Sequence, residues 1–146
     1  MLAVADGEGR MWDEQRLLRA LATGFSSGLG IELDALTRAR VTGRMAVLPA
    51  HLSDTGFLHG GVMMTFADAL AACGARLNLA SDAATATLES KTNFLKPCGL
   101  GLLRGEAIAL HVGSRTSVWQ TSLSDAAGQR IAVVTQTQMV LAGKAA

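Results

Sequence analysis

Apolar and polar positions along this chain change period several times, and those changes divide it into elements. Across MWDEQRLLRALATGF, residues 11–25, Leu17, Leu21 and Phe25 recur at helical spacing. So do Met11, Gln15, Leu18 and Ala22, and Gly24 offers a stop. Residues 30–36 and 39–48 mix apolar and polar side chains in rough alternation, which predicts two antiparallel strands ended by Pro49. A polar connection, AHLSDTGF, leads into a run that is apolar or small nearly all round. It should form a helix starting near His59 or Gly60 and stopping near Asn78, buried rather than laid on a surface. After LASDA the period falls to two. Thr85, Thr87, Glu89, Lys91 and Asn93 alternate with Ala86, Leu88, Ser90, Thr92 and Phe94, and Pro97 closes the run. Residues 102–112, 115–125 and 130–141 follow as three more strands, rich in β-branched residues and joined by the turn sequences HVGSR and SDAAGQ. Connections this short favour antiparallel neighbours, because parallel strands need long crossovers.

The layout is helix, two strands, a buried helix, then four strands. It predicts an α+β fold in which one antiparallel sheet wraps around a long central helix, with a further helix at the N-terminus; the order alone also permits a looser α+β sandwich. A chain of 146 residues is large enough for one domain with its own core. That domain is assigned to residues 11–142, between a small, polar, flexible segment 1–10 and a frayed segment 143–146. With 49% hydrophobic and 17% charged residues the chain is apolar for its size, as expected if part of its surface is hidden in an oligomer. The net charge is +1, no basic block is present, and aromatics make up 4%, which argues against nucleic-acid binding. Cys73 and Cys98 stand far apart with no zinc-type spacing and read as reduced thiols. With no secretory signal and no stretch suited to a bilayer, the expectation is a cytoplasmic protein that does not enter the membrane.

One residue conflicts with the pattern. Asp68 sits in the middle of the apolar helix, where an unpaired carboxylate would cost on the order of several kcal/mol. In a purely structural reading backbone donors, or an Arg such as Arg76 two turns later, would satisfy it. Alternatively, an acid in a cleft is what general-base or nucleophilic chemistry needs. Just ahead of it stands His59-Gly60-Gly61. The first N–H groups of a helix lack intrahelical partners and carry partial positive charge, and two glycines let a ligand come close, so this end suits a developing oxyanion. The plainer alternative is a tight turn with His59 as a structural hydrogen-bonder. Eight residues separate Gly60 from Asp68, about 12 Å along one helix. One carbonyl cannot touch both. Two copies of the helix, antiparallel across a two-fold axis, would bring one chain's helix start to the other's Asp68.

GFLHGGVMMTFADAL, then TATLESKTNFLKP, then HVGSRTSVWQTSLSDAAGQRIAVVTQTQMVL: these stretches resemble the PaaI-type acyl-CoA thioesterases of the hotdog-fold superfamily, and the likeness runs from about Gly30 to Leu141. The resemblance implies a hotdog fold and hydrolysis of small to medium acyl-CoA, aromatic acyl groups included, to free acid and CoA. It implies that the Gly61 N–H polarises the thioester carbonyl. Asp68 of the opposing subunit would activate water or attack directly, Thr87 would help to place the water, and His59 would support the turn and contact substrate. Many relatives carry Asn six residues before the motif histidine, where this chain has Ser53.

A CoA substrate brings phosphates, for which Arg115, Lys96 and Arg104 are the candidate partners. The acyl group would enter between subunits near Gly60, Phe57, Met63 and Met64. No cofactor and no metal are expected, and the partner is a second copy of the chain, as a homodimer or a dimer of dimers. The competing readings are a non-catalytic acyl-CoA-binding or regulatory hotdog protein, which has no need of Asp68, and a hydratase, which would want a His and an acid paired at another spacing.

Overall fold

The structure, a computed structural model, describes residues 12–80 and 83–142. Helix α1 spans Glu14–Leu21. The Asp13 carboxylate accepts the Arg16 N–H at 2.8 Å, while Glu14 in the first turn and Arg19 in the last complement the helix dipole. Leu17 and Leu21 are buried. Phe25, the third member of that predicted stripe, is not: its side chain is 82% exposed. The helix has already ended, because the Thr23 hydroxyl bonds the Ala20 carbonyl and Gly24 turns to a φ of 63°, so Phe25 opens a 3-10 turn, Phe25–Leu29. Of the second predicted stripe, Leu18 is exposed and Met11 lies outside the described residues.

The remaining elements are β1 (Glu32–Leu36), β2 (Arg40–Val47), α2 (Gly60–Arg76), β3 (Ala84–Phe94), β4 (Gly101–Val112), β5 (Thr116–Ser124) and β6 (Arg130–Leu141). The six strands form one sheet in the order β1-β2-β4-β5-β6-β3, with every pairing antiparallel. Strand β3 does not lie beside its successor β4. It pairs with β6, from Ala84 opposite Leu141 to Phe94 opposite Ala132, and so forms one edge of the sheet.

The sheet curves around α2, which packs against β2 through β6. Phe66 and Leu70 of the helix meet Val41, Leu103, Trp119 and Leu123 of the sheet, all fully buried. Closest approach is at Gly74, where a Cβ would lie 2.4 Å from the Trp119 ring. The indole therefore fits only against a bare Cα, and its Nε1 donates to the Ser117 hydroxyl at 3.0 Å. The middle of the helix is buried as its composition predicts, while Gly61, Thr65, Asp68 and Ala72 remain partly or fully accessible along one edge and Gly60, Val62, Met64 and Arg76 are half-buried. Among the described residues, no helix is long and apolar enough to cross a membrane.

Candidate active site

Helix α2 begins with a specific division of its free amides. The Gly61 N–H donates to the His59 Nδ1 at 2.9 Å, so His59 is the N-cap. With Nδ1 accepting, the ring proton of a neutral His59 sits on Nε2. The Val62 and Met63 N–H groups both reach the His59 carbonyl. The Gly60 N–H alone has no acceptor among the described residues. The amide left free at the helix tip is that of Gly60, while the N–H of Gly61, the glycine the resemblance singled out, closes the cap. A Cβ at Gly60 would fall 2.9 Å from the tip of the exposed Phe94 ring of β3, so a larger residue there would push that ring aside.

A cavity of about 510 Å³ opens at that tip, lined by Leu58, Gly60, Met63, Phe94, Leu95, Lys96 and Pro97. Met63 and Lys96, both singled out in the sequence, line this cavity. Phe57 is an exposed neighbour in the preceding loop and Met64 is half-buried on α2; neither lines the cavity. The Ser53 hydroxyl bonds Thr55 and the Phe57 carbonyl, which staples the loop leading into the helix. Arg115 lies at the far end of β6 from Lys96: its carbonyl accepts from Val140, whereas the Lys96 N–H reaches Ile131. Arg104 lines a separate groove of about 480 Å³ with Arg40, Glu106 and Arg130, on the sheet face turned away from α2. That groove contains neither Gly60 nor Asp68.

Asp68 is half-buried on the accessible stripe of α2, and Arg76 does not hold it. The Arg76 guanidinium lies 4.8 Å from the centre of the Trp12 ring. The Asp68 Oδ1 instead accepts from the Thr87 hydroxyl at 2.7 Å and from the Gln136 Nε2 at 2.8 Å, while Oδ2 has no partner among the described residues. The Gln138 Nε2 in turn donates to the Thr87 Oγ1 at 2.9 Å. Thr87 was expected from the sequence; Gln136 and Gln138 were not. A signal for them existed. In RIAVVTQTQMVL the inward positions run Ala132, Val134, Gln136, Gln138, so two amides occupy places where the alternation calls for apolar side chains.

The two thiols are poor candidates for nucleophile. Burial pushes Cys73 up to about 12, with the Arg76 cation only partly opposing the shift, and burial followed by the Asp125 charge raises Cys98. Asp68 keeps one carboxylate oxygen uncommitted, and the free Gly60 amide and the apolar cavity lie at the start of the same helix, eight residues away.

Residues 55–132, which include the helix tip, Asp68 and β3, match the family model of the thioesterase superfamily, and the chain belongs to that family. Its fold is the hotdog fold, and it is a thioester hydrolase. The protein PA1618 of Pseudomonas aeruginosa is 32% identical over 120 residues, 80% of this chain and 83% of that one. The crystal structure of a mutant of that Pseudomonas protein, a thioesterase, aligns over 89% of this chain and 94% of its own with a TM-score of 0.83. The 1,4-dihydroxy-2-naphthoyl-CoA hydrolase of Listeria monocytogenes is 29% identical over 102 residues, 70% of this chain and 83% of that protein.

Proposed function

We propose that the chain hydrolyses small to medium acyl-CoA thioesters, aromatic acyl groups included, at two equivalent sites of a homodimer. The observation that carries this is the separation of the two halves of the site: about 12 Å of helix between the free Gly60 amide and Asp68. A second copy supplies the missing half. Strand β3 is an 11-residue edge strand with no proline, and Leu88 and Phe94 are 58% and 52% exposed on it, which is the kind of edge that recruits another strand. Antiparallel pairing of β3 with its copy, centred near Ser90, sets Thr87 and Asp68 of one subunit beside Phe94 and Gly60 of the other.

In such a site the partner's Gly60 N–H holds the thioester oxygen, and its apolar cavity takes the acyl group. Lys96 at the rim faces the CoA phosphates. The Asp68 Oδ2 takes a proton from water as the water oxygen attacks the carbonyl carbon. The tetrahedral oxyanion collapses, the C–S bond breaks, and the proton on Oδ2 passes to the departing CoA thiolate, giving acid and thiol. In the other route Oδ2 itself attacks, expels the thiolate and leaves an anhydride that water then cleaves. A cavity of about 510 Å³ lined by Phe94, Met63 and Pro97 suits a flat ring, and the naphthoyl-CoA hydrolase of Listeria makes hydroxyaryl-CoA the first substrate class to try.

The test is thiol release from a panel of alkyl-, phenyl- and hydroxynaphthoyl-CoA thioesters, with Asp68→Asn as comparator. The expected result is turnover with at least one aryl-CoA and a loss of about 10²-fold or more in the variant. Tight binding without thiol release from any of them would instead identify a non-catalytic acyl-CoA-binding protein. Solvent ¹⁸O in the Asp68 carboxylate after a single turnover would select the anhydride route.

A further inference from the structure

We infer that Gln136 and Gln138 are positioning residues for the Asp68 carboxylate: they fix it by Oδ1 so that Oδ2 is the reacting oxygen. The inference rests on the assignment of Asp68 as the acid–base or nucleophilic group and goes beyond it in naming which oxygen reacts and what holds the other.

The hydrogen bonds around Asp68 have a single direction. Gln136 and Gln138 are 0% and 1% exposed, on the inward face of β6. A carboxylate oxygen only accepts, so the amide edge that Gln136 presents to Oδ1 is its NH₂. Thr87 has one hydroxyl proton, and its oxygen already accepts from the Gln138 Nε2, so that proton is directed at Oδ1. The Gln138 amide is oriented by Thr87 itself, whose only proton goes to Asp68 and whose oxygen therefore takes a donor from Gln138; the Thr85 hydroxyl, 3.3 Å from the Gln138 Oε1, has its nearer acceptor in the Met139 carbonyl at 3.0 Å. Two donors thus converge on one carboxylate oxygen from two strands, β3 and β6. The second oxygen remains on the accessible side of α2.

Gln136 also has a mark that packing alone does not explain. Its Oε1 is buried with no hydrogen-bond partner among the described residues. An amide used only to fill space would be better replaced by an apolar side chain of the same length, since a buried, unsatisfied carbonyl opposes folding. Its value lies in the N–H it offers to Asp68.

Gln136→Met, close to isosteric and lacking a donor, separates the two roles. The expected result is a fall in kcat of about 10- to 100-fold, with KM changed no more than about twofold and the thermal midpoint not lowered. Single-turnover rates in the Asp68→Asn background should show no further loss on adding Gln136→Met, because the amide then has no carboxylate to orient. An unchanged kcat, or the same fractional loss in both backgrounds, would overturn the inference while leaving the assignment of Asp68 intact. Full activity in Asp68→Asn itself would remove the assignment of that acid instead. If Gln136→Met does not fold, Gln138→Met carries the same cycle. Its side chain does not touch Asp68, and the expected loss is smaller, roughly 3- to 10-fold, and again absent without the carboxylate; an equal loss in both backgrounds refutes the relay.

Discussion

Replacing Gly74 by Ala adds a single carbon where the structure has no room for one. The new Cβ would lie 2.4, 2.5 and 2.9 Å from three carbons of the Trp119 ring, against an ordinary contact distance of at least 3.4 Å. One of the two must move by about an ångström. Trp119 is fully buried and tethered through its Nε1 to Ser117, so the ring cannot slide without giving up that bond, and the alternative is to lever α2 off the sheet. Overpacking of this kind costs about 1–3 kcal/mol, and a pinned aromatic neighbour places the site at the upper end. Against it stands the gain from Ala over Gly inside a helix, about 1 kcal/mol. The net expectation is a destabilisation of about 2 kcal/mol, or about 4–8 °C in the thermal midpoint of a chain this size. Circular dichroism melts at one fixed protein concentration measure it, since dissociation of an oligomer would otherwise move the midpoint. Trp119→Phe in the Gly74→Ala background should return part of the loss by opening space. A Gly74→Ala midpoint equal to or above that of the parent would show that only helix propensity had changed and that the close helix–sheet contact does not exist.

Two further outcomes follow from the thiols and from the sheet edge. Because burial holds the folded Cys73 near 12 while the unfolded thiol titrates near 9, the folded state binds the extra proton between those values, so stability is fully present below about pH 9 and is lost as pH rises toward 12. Cys73→Ala should therefore flatten the decline in thermal midpoint above pH 9 relative to the parent; identical slopes would mean that thiol is not buried. Leu88→Glu places a charge at an exposed position of β3 and should leave the subunit folded but shift it toward monomer in light scattering, with thiol-releasing activity falling alongside. A variant that is monomeric yet fully active would dismiss the shared site.

The strands were legible because their alternation is local: residues 130–141 bound β6 as the sequence placed it, and β2 and β3 differ from expectation by a residue at most at either end. Helix α2 was legible for the opposite reason, an unbroken small and apolar composition that only a buried helix accommodates. The spacing of Leu17, Leu21 and Phe25 misled at Phe25 because a periodic pattern continues through a glycine even where the backbone does not. The pairing of β3 with β6 was beyond reach, since it joins segments separated by two other strands and no local pattern encodes it. The same long-range closure hid the partners of Asp68: Thr87 and Gln136 stand 19 and 68 residues away, and only the completed sheet brings them to one oxygen. Likewise, the sequence singled out the double glycine, but which amide stays free depends on where the His59 ring turns.

Helix α2 and strand β3 each serve both the cavity and the carboxylate, but at different positions: Gly60, Met63 and Phe94 line the cavity, Asp68 and Thr87 the hydrogen-bonded group. Phe94, Leu95, Lys96 and Pro97 form a continuous rim at the end of β3, whereas Asp68, Thr87 and Gln136 are joined by hydrogen bonds farther along the helix and the sheet. If the proposed site is the working one, a descendant of this protein can change what it accepts by exchanging Leu95, Lys96 and Pro97, while Gly60, Asp68, Thr87 and Gln136 stay as they are. Diversification of diet without reinvention of the tool is built into that division.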